Sequence, residues 1–476
     1  MCFVGEFCRS RRLSLTRSPA TNGSNRRWSL GVIGVLAAAC SQGPAGPPGP
    51  AGPASGTPPG YLSVLDFGAK TDMPSVDSTP SFQAALDAAE QADGGTVWVP
   101  KGRFWFSGNI HIGRNVALAG AGIGPYDSYL DPVTTSLAPT LLPTSTSGGA
   151  FISIQGENSA LQDVLVWYPN QTRPDASGAD TTGPTVYPPT VVVSQPSKIF
   201  RCTFGNSYIA IEVMIGRVYL EDLHIGGFKN DIVIDHSEDF VHISHITASV
   251  FWDIGAGLNP PQPIDTWVIA NSVSLTSYRQ DALDVVDYDV FYRHTGITFL
   301  DSPQGLGVTW GVASNVDLDA VLYGVVAKSL SGPLGFVFSN LVVSAANLHG
   351  GNMIWLPAGG NVPPKMVVEG GSLYGTWEQP LKVEAGTLRV RDIIGLDPIG
   401  HLPALGIPEP LLPASGVPYV SNLPADAQVT ITGGSVQDVI VDGASTGLTS
   451  GTFDVSPGAS IAVSYTAAPV WNWFLN

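Results

Sequence analysis

Four short segments with apolar residues at alternate positions, KIFRCTF, VYLEDLHI, VHISHIT and WVIANSVSL, follow one another along the middle of the chain. Anchored on Cys202, Asp222, His245 and Ser272, they recur at steps of 20, 23 and 27 residues. Alternation with period two makes strands with one buried face. Strands returning at such steps, with no helix between them, imply a solenoid with one coil per repeat. A two-sheet sandwich would place its turns at shorter intervals. GFVFSNLVVS, KMVVEGGSL and TLRVRDII carry the ladder to about residue 395. Composition agrees, because only 13% of the 476 residues are charged while 55 are Gly and 39 are Pro, which suits strands joined by tight turns.

The segment Val64 to Gly120 precedes this ladder. Within it Pro80-Ser81 leads into FQAALDAAEQA, which places Phe82, Ala85, Leu86 and Ala89 on one helical face. Such a helix covers the open end of a solenoid, where unpaired strand edges invite aggregation. Asp66, Asp72 and Asp77 are expected to form turns and caps. The order strand, short helix, Gly94-Gly95 turn and strand ending in Pro100-Lys101-Gly102 resembles the opening module of the pectate-lyase superfamily, in its rhamnogalacturonase and epimerase type. The resemblance implies an all-β fold, a single-stranded right-handed parallel β-helix (a pectin-lyase-like solenoid) with a short N-terminal capping helix, and action on polysaccharide. Lys70-Thr71-Asp72-Met73-Pro74 departs from the Gly-Asp-Gly and paired acids common there. VLVWYPNQ, VYPPTVVV and Tyr278-Arg279-Gln280-Asp281 followed by YRHTGITF resemble a subgroup of bacterial β-helix proteins, so the likeness covers roughly residues 61–400. The polygalacturonase motifs Asn-Thr-Asp, Asp-Asp, Gly-His-Gly and Arg-Ile-Lys do not occur, which disfavours that chemistry.

The ends of the chain read differently. Residues 1–29 carry Arg9, Arg11, Arg12, Arg17, Arg26 and Arg27 against one acid, Glu6, and the apolar stretch Leu30 to Ala39 follows. That is a secretory signal, too short to span a bilayer. Leu36-Ala37-Ala38-Ala39-Cys40 resembles a bacterial lipoprotein box, which makes Cys40 the lipidated residue and residues 1–40 the signal; a plain signal with an incidental Cys is the alternative. Residues 41–60 hold four collagen-type triplets, read as an extended spacer. Residues 61–400 form the β-helix, and 401–476 a Pro-rich excursion with closing strands, where Trp471, Trp473 and Phe474 seal the end or stack on sugar.

Chemistry on a solenoid sits where equivalent positions of successive coils stack, about 4.8 Å apart. Asp231, Asp253 and Asp281 are 22 and 28 residues apart, close to one coil, and are the expected catalytic carboxylates. One acts as acid and another as base or nucleophile, as glycoside hydrolysis requires; the alternative is that each bonds turn amides. Tyr208, Lys229, Trp252, Tyr278 and Arg279 lie beside them, and Trp167 and Tyr168 offer further stacking faces, or else pack the loop 169–189. No cofactor is expected; Ca²⁺ enters only if the reaction is a lyase elimination. The acidic run Asp235 to Asp239 and the group Asp284, Asp287 and Asp289 are read as solvated turns or oxygen ligands. His224, His242 and His245 show no zinc spacing and read as strand histidines. Cys202 reads as a buried, inert thiol.

The formal charge of −17 argues against a basic field for nucleic acid or anionic lipid. The expected partners are a polysaccharide substrate or glycan ligand, and a membrane only through the lipid anchor. The expected protein is a polysaccharide-cleaving enzyme, hydrolase over lyase, secreted to the envelope of a bacterium and tethered there. Alternatives are a non-catalytic glycan-binding or adhesive β-helix, or a structural coat.

Overall fold

The structure, a computed structural model, describes residues 60–122, 139–171, 183–249, 266–305, 307–331, 335–394, 400–402, 408–423 and 426–475. Cys40, the collagen-like triplets, Trp252 and Asp253 lie outside the described residues.

From Leu62 to Ile394 the strands pair in parallel, each with the equivalent strand of the neighbouring coil, and 22 strands join one continuous ladder among the described residues. This is the parallel β-helix expected from the repeat. Each coil contributes to three faces. The first is built by Gly95–Val99, Val116–Gly120, Ser159–Gln162 and Ser197–Phe200. The second is built by Arg103–Phe106, Thr140–Pro143 and Leu165–Trp167. The third is built by Ile110–Ile112, Ile152–Ile154 and Val191–Val193. Later strands such as Val218–Ile234, Leu283–Phe299 and Gly311–Ala327 run through the corners and supply more than one face.

Alternation decides what points inward. On the first face Val97, Leu118, Leu161, Ile199, Leu220 and Ile243 are successive register partners, and all are fully buried. Burying each such side chain stabilises by about 1.5–3 kcal/mol, so the stacked interior drives the fold. One residue per coil turns the chain from the first face to the second with left-handed backbone: Asp163, Arg201, Asp222, His245, Asp287 and Asn315 have φ between 51° and 58°. Asp and Asn tolerate this conformation because their short polar side chains bond locally.

Coil spacing leaves no room for a side chain at some corners. A Cβ on Gly120 would collide with the Asp163 carbonyl oxygen of the next coil. Gly120→Ala is expected to destabilise by about 1–3 kcal/mol, seen as a lower denaturant midpoint with unchanged slope.

The helix Thr79–Gln91 buries Phe82, Ala85, Leu86 and Ala89, as its periodicity predicts. Phe82 meets Phe104 and Phe106 edge to face at 5.2 and 4.9 Å. Asp77 accepts hydrogen bonds from the Thr79 N–H (3.0 Å) and the Ser107 hydroxyl (2.6 Å), and Asp72 pairs with Arg103 at 2.6 Å. These acids build turns. Cys202 is buried, and burial pushes its thiol up to about 12, so it stays protonated and inert.

The last strands add no coils. Residues 400–475 form two four-stranded antiparallel sheets. They meet through Tyr419, whose ring stands 6.0 Å from Trp471 and 5.3 Å from Trp473. Both tryptophans are buried, so they form the core of this unit and present no stacking face to sugar.

Candidate functional site

Asp231 and Asp281, two of the carboxylates expected to share a groove, do not. Asp231 is at the corner between the second and third faces and is fully buried. Its two oxygens accept from Nε and Nη2 of Arg293, each at 2.9 Å, and Oδ1 also takes the Gly227 N–H at 2.8 Å. Arg293 is equally buried, so this is a sealed ion pair that no ligand can reach. Asp281 lies at a different corner, between the third and first faces, and is engaged by Arg279. Asp253 and Trp252 fall outside the described residues.

The expected sugar contacts are also mostly committed elsewhere. Trp167 and Tyr168 are buried, with the Tyr168 hydroxyl 3.0 Å from Thr190 Oγ1 and its ring 4.5 Å from Tyr187. They pack the interior and are not platforms. Lys229 Nζ donates to the Asn271 carbonyl at 2.8 Å, and Tyr208 packs 6.4 Å from Trp267. Tyr278 is half-buried, which raises its hydroxyl pKa, with Asp235 and Glu212 adding to it. The acidic run is used in its turn: Asp235 accepts the His236 N–H (2.9 Å) and Asp239 pairs with Arg217 (2.6 Å).

A polar groove does form, on the corner between the first and second faces. Four triplets stack in register: Asp222-Leu223-His224, His245-Ile246-Thr247, Asp287-Tyr288-Asp289 and Asn315-Val316-Asp317. The first residue of each is the left-handed bend. The middle residue is buried, so the third projects outward. His224, Thr247, Asp289 and Asp317 therefore form one outward row across four coils, beside a groove of about 630 Å³. Side-chain bonds between coils fix its rim: Asn315 Nδ2 donates to Asp287 Oδ1 at 3.0 Å, and His245 Nε2 stands 3.3 Å from Asp287 Oδ2.

The row contains perturbed carboxyls. Burial, reinforced by the Asp317 and Asp319 carboxylates, pushes Asp289 up to about 7. Asp317 is raised by burial and then by Asp319. Asp289 Oδ1 and Asp317 Oδ1 are buried without a hydrogen-bond partner among the described residues. Burial lowers the His224 pKa, with Asp222 opposing, so its imidazole favours the neutral form. Past Asp317, Asp319 sits one outward position further along the second face, and Tyr374 exposes half its surface nearby. The described residues lining the groove include no Lys or Arg. No cluster of three or more His, Cys, Asp or Glu among the described residues is arranged to hold a metal ion.

A neutral acid beside an ionised one is the arrangement that acid–base cleavage uses. Sequence reasoning reads Asp289 as part of a solvated turn or as an oxygen ligand and passes over Asp317 and Asp319. The signal was present: Asp287-Tyr288-Asp289 repeats as Asn315-Val316-Asp317 at an offset of 28 residues.

Residues 61–135 match the family model described as rhamnogalacturonase A/epimerase, pectate lyase-like. The match ends before the first groove residue. Alginate lyase 7 of Azotobacter vinelandii is 45% identical over 69 residues, 13% of this chain and 8% of that protein. The mannuronan C5-epimerase AlgE3 of the same organism is 34% identical over 132 residues, 25% of this chain and 7% of that protein. The chain thus spans less than a tenth of the length of these curated relatives. A solved exopolygalacturonase of Thermotoga maritima is 16% identical with a TM-score of 0.39, covering 71% of this chain and 92% of that one. The opening module thus resembles the rhamnogalacturonase/epimerase type of pectate-lyase-like protein, and the ladder of parallel coils behind it is the fold that this resemblance implies.

Proposed function

We propose that the groove cleaves glycosidic bonds of a polysaccharide by hydrolysis, with Asp289 as general acid and Asp317 as its ionised partner. The observation that carries this is the stacking of the two carboxyls on adjacent coils, with Asp289 held near neutrality at pH 7. A carboxyl with that pKa protonates a leaving oxygen, while an ionised neighbour activates water or attacks the anomeric carbon. Tyr374 offers a ring face to a sugar beyond the acids.

Groove charge favours a neutral glycan. Elimination or epimerisation of a uronate needs its carboxylate neutralised, and a groove lined by Asp, with no Lys or Arg among its described residues, repels such a polymer. The named relatives, an alginate lyase and a mannuronan epimerase, support a carbohydrate-active role over stretches of 69 and 132 residues. The N-terminal reading adds the setting: export, with Cys40 lipidated and the body held off the membrane by the spacer.

The test is product release from a panel of neutral and acidic polysaccharides. New reducing ends from a neutral polymer, without ultraviolet-absorbing unsaturated ends, are the expected result. Unsaturated products, or saturable glycan binding with no product across the panel, would overturn hydrolysis in favour of elimination or of a binding protein.

A further inference from the structure

A second cleft, of about 620 Å³, opens where the antiparallel C-terminal unit meets the last two coils. Its character is opposite to that of the acidic groove. Lys365 on one coil and Arg389 on the next reach it, offset by two residues, since Lys365 pairs with Thr387 and Val367 with Arg389. Neighbouring Arg391 is occupied by Asp426 at 3.2 Å, which ties the C-terminal unit to the coil. No ion pair engages Lys365 or Arg389 among the described residues, and no Asp or Glu lines the cleft among them.

The C-terminal unit contributes donors. Ser421 is 2% exposed, and its buried hydroxyl has no hydrogen-bond partner among the described residues. The Tyr419 hydroxyl donates to Asn422 Oδ1 at 2.7 Å, which leaves the Asn422 amide N–H groups free to donate. Val367, Val383 and Leu423 supply an apolar wall. Two cations, an amide and a buried hydroxyl around such a wall suit an anionic group on a ring with an apolar face.

We infer that this cleft binds an anionic sugar residue, a uronate or a sulfated hexose, independently of the acidic groove. In a chain of net charge −17, a pair of cations facing no acid is the feature that would hold an acidic glycan against overall repulsion. The inference does not rest on the hydrolytic reading, because the groove and the cleft share no lining residue.

Calorimetric titration of the full-length protein tests it with three probes: a 1,4-linked hexuronate tetrasaccharide, a sulfated neutral tetrasaccharide, and the same neutral sugar unsulfated. Saturable binding of one or both anionic probes is expected, weakening with added salt, while any binding of the neutral probe belongs to the acidic groove and should not change in Lys365→Gln or Arg389→Gln. Arg389→Gln and Lys365→Gln should each reduce affinity roughly tenfold or more, whereas Asp289→Asn should leave it unchanged. Both cations are solvent-exposed, so the variants should fold with unaltered melting. Whichever anionic probe binds identifies the anion as carboxylate or sulfate. Failure of both anionic probes, or wild-type affinity for them in both variants, would overturn the site; failure of hydrolysis alone would leave it standing.

Discussion

Asp289→Asn is expected to lower kcat by a factor on the order of 10²–10⁴, the usual contribution of a positioned acid. The amide keeps the shape of the side chain and removes only its ionisable proton, so substrate affinity should change little. Asp317→Asn should be comparably damaging, because it removes the ionised partner. The two losses should not add, since both residues serve one step. A pH profile makes the role specific. Burial, then Asp317 and Asp319, hold Asp289 near 7, so the protonated acid is lost as pH rises through that value. Wild-type activity should therefore fall on the alkaline side near pH 7, and the residual activity of Asp289→Asn should lack that limb. Stability should carry the same signature. The carboxyl is raised in the folded state from its ordinary 3.8, so folded protein binds the extra proton between about 4 and 7. Its favourable contribution is complete below about 4 and is lost as pH rises through about 7. Asp289→Asn should then melt with wild type at pH 4 and above it at pH 8. Unchanged turnover in Asp289→Asn, with the alkaline limb intact, would remove the acid from the proposal.

The sequence revealed the coil more clearly than its register. Period-two alternation in segments such as VYLEDLHI specifies an inward stack whatever lies between the strands. The amphipathic helix around Phe82 and Leu86 is equally local, and both were legible. Corners are a different matter. Of the four repeat anchors, Asp222 and His245 occupy the left-handed bend, while Cys202 falls one residue past it. Ser272 is not on that bend at all, because it follows the helix Thr266–Asn271 and leads into the third face. The next true bend after His245 is Asp287, 42 residues on. Extra residues at a solenoid corner are tolerated because lengthening a loop adds little closure entropy. Spacing alone therefore slides past the register. That slide put Asp231 and Asp281 on one groove, although they lie at different corners. Anchoring instead on an Asp or Asn that admits positive φ, followed by an apolar and then a polar residue, aligns Asp289 with Asp317 directly. The aromatic residues failed for a related reason: Trp167 and Tyr168 look the same in sequence whether a ring points in or out, and only the partners of their strands decide it.

Asp231→Ala is expected to destabilise the β-helix by about 3–5 kcal/mol, the effect of leaving one member of a buried ion pair alone. Arg293 is fully buried, and its Nε and Nη2 both donate to Asp231, while Nη1 reaches the Tyr292 carbonyl at 3.2 Å. Without the carboxylate, the guanidinium would stay in the interior as an uncompensated charge, and the Gly227 N–H would lose its acceptor as well. Asp231→Asn retains one acceptor oxygen and should lose less, because the hydrogen bond survives while the charge balance does not. Removing both charges at once is the decisive comparison. Asp231→Leu with Arg293→Met replaces the pair by apolar groups of similar bulk, and such replacements are often neutral or stabilising. The double variant should therefore recover much of the stability that either single change loses, giving a coupling energy of roughly 1–3 kcal/mol in a denaturant-unfolding cycle. Turnover measured below each variant's unfolding transition separates this role from catalysis. A fold-supporting pair leaves kcat near wild type in the double variant, whereas a catalytic Asp231 would leave it inactive however stable it became. Additive losses in the cycle, with Asp231→Ala as stable as wild type, would mean that the corner is held by its backbone and that the ion pair contributes nothing.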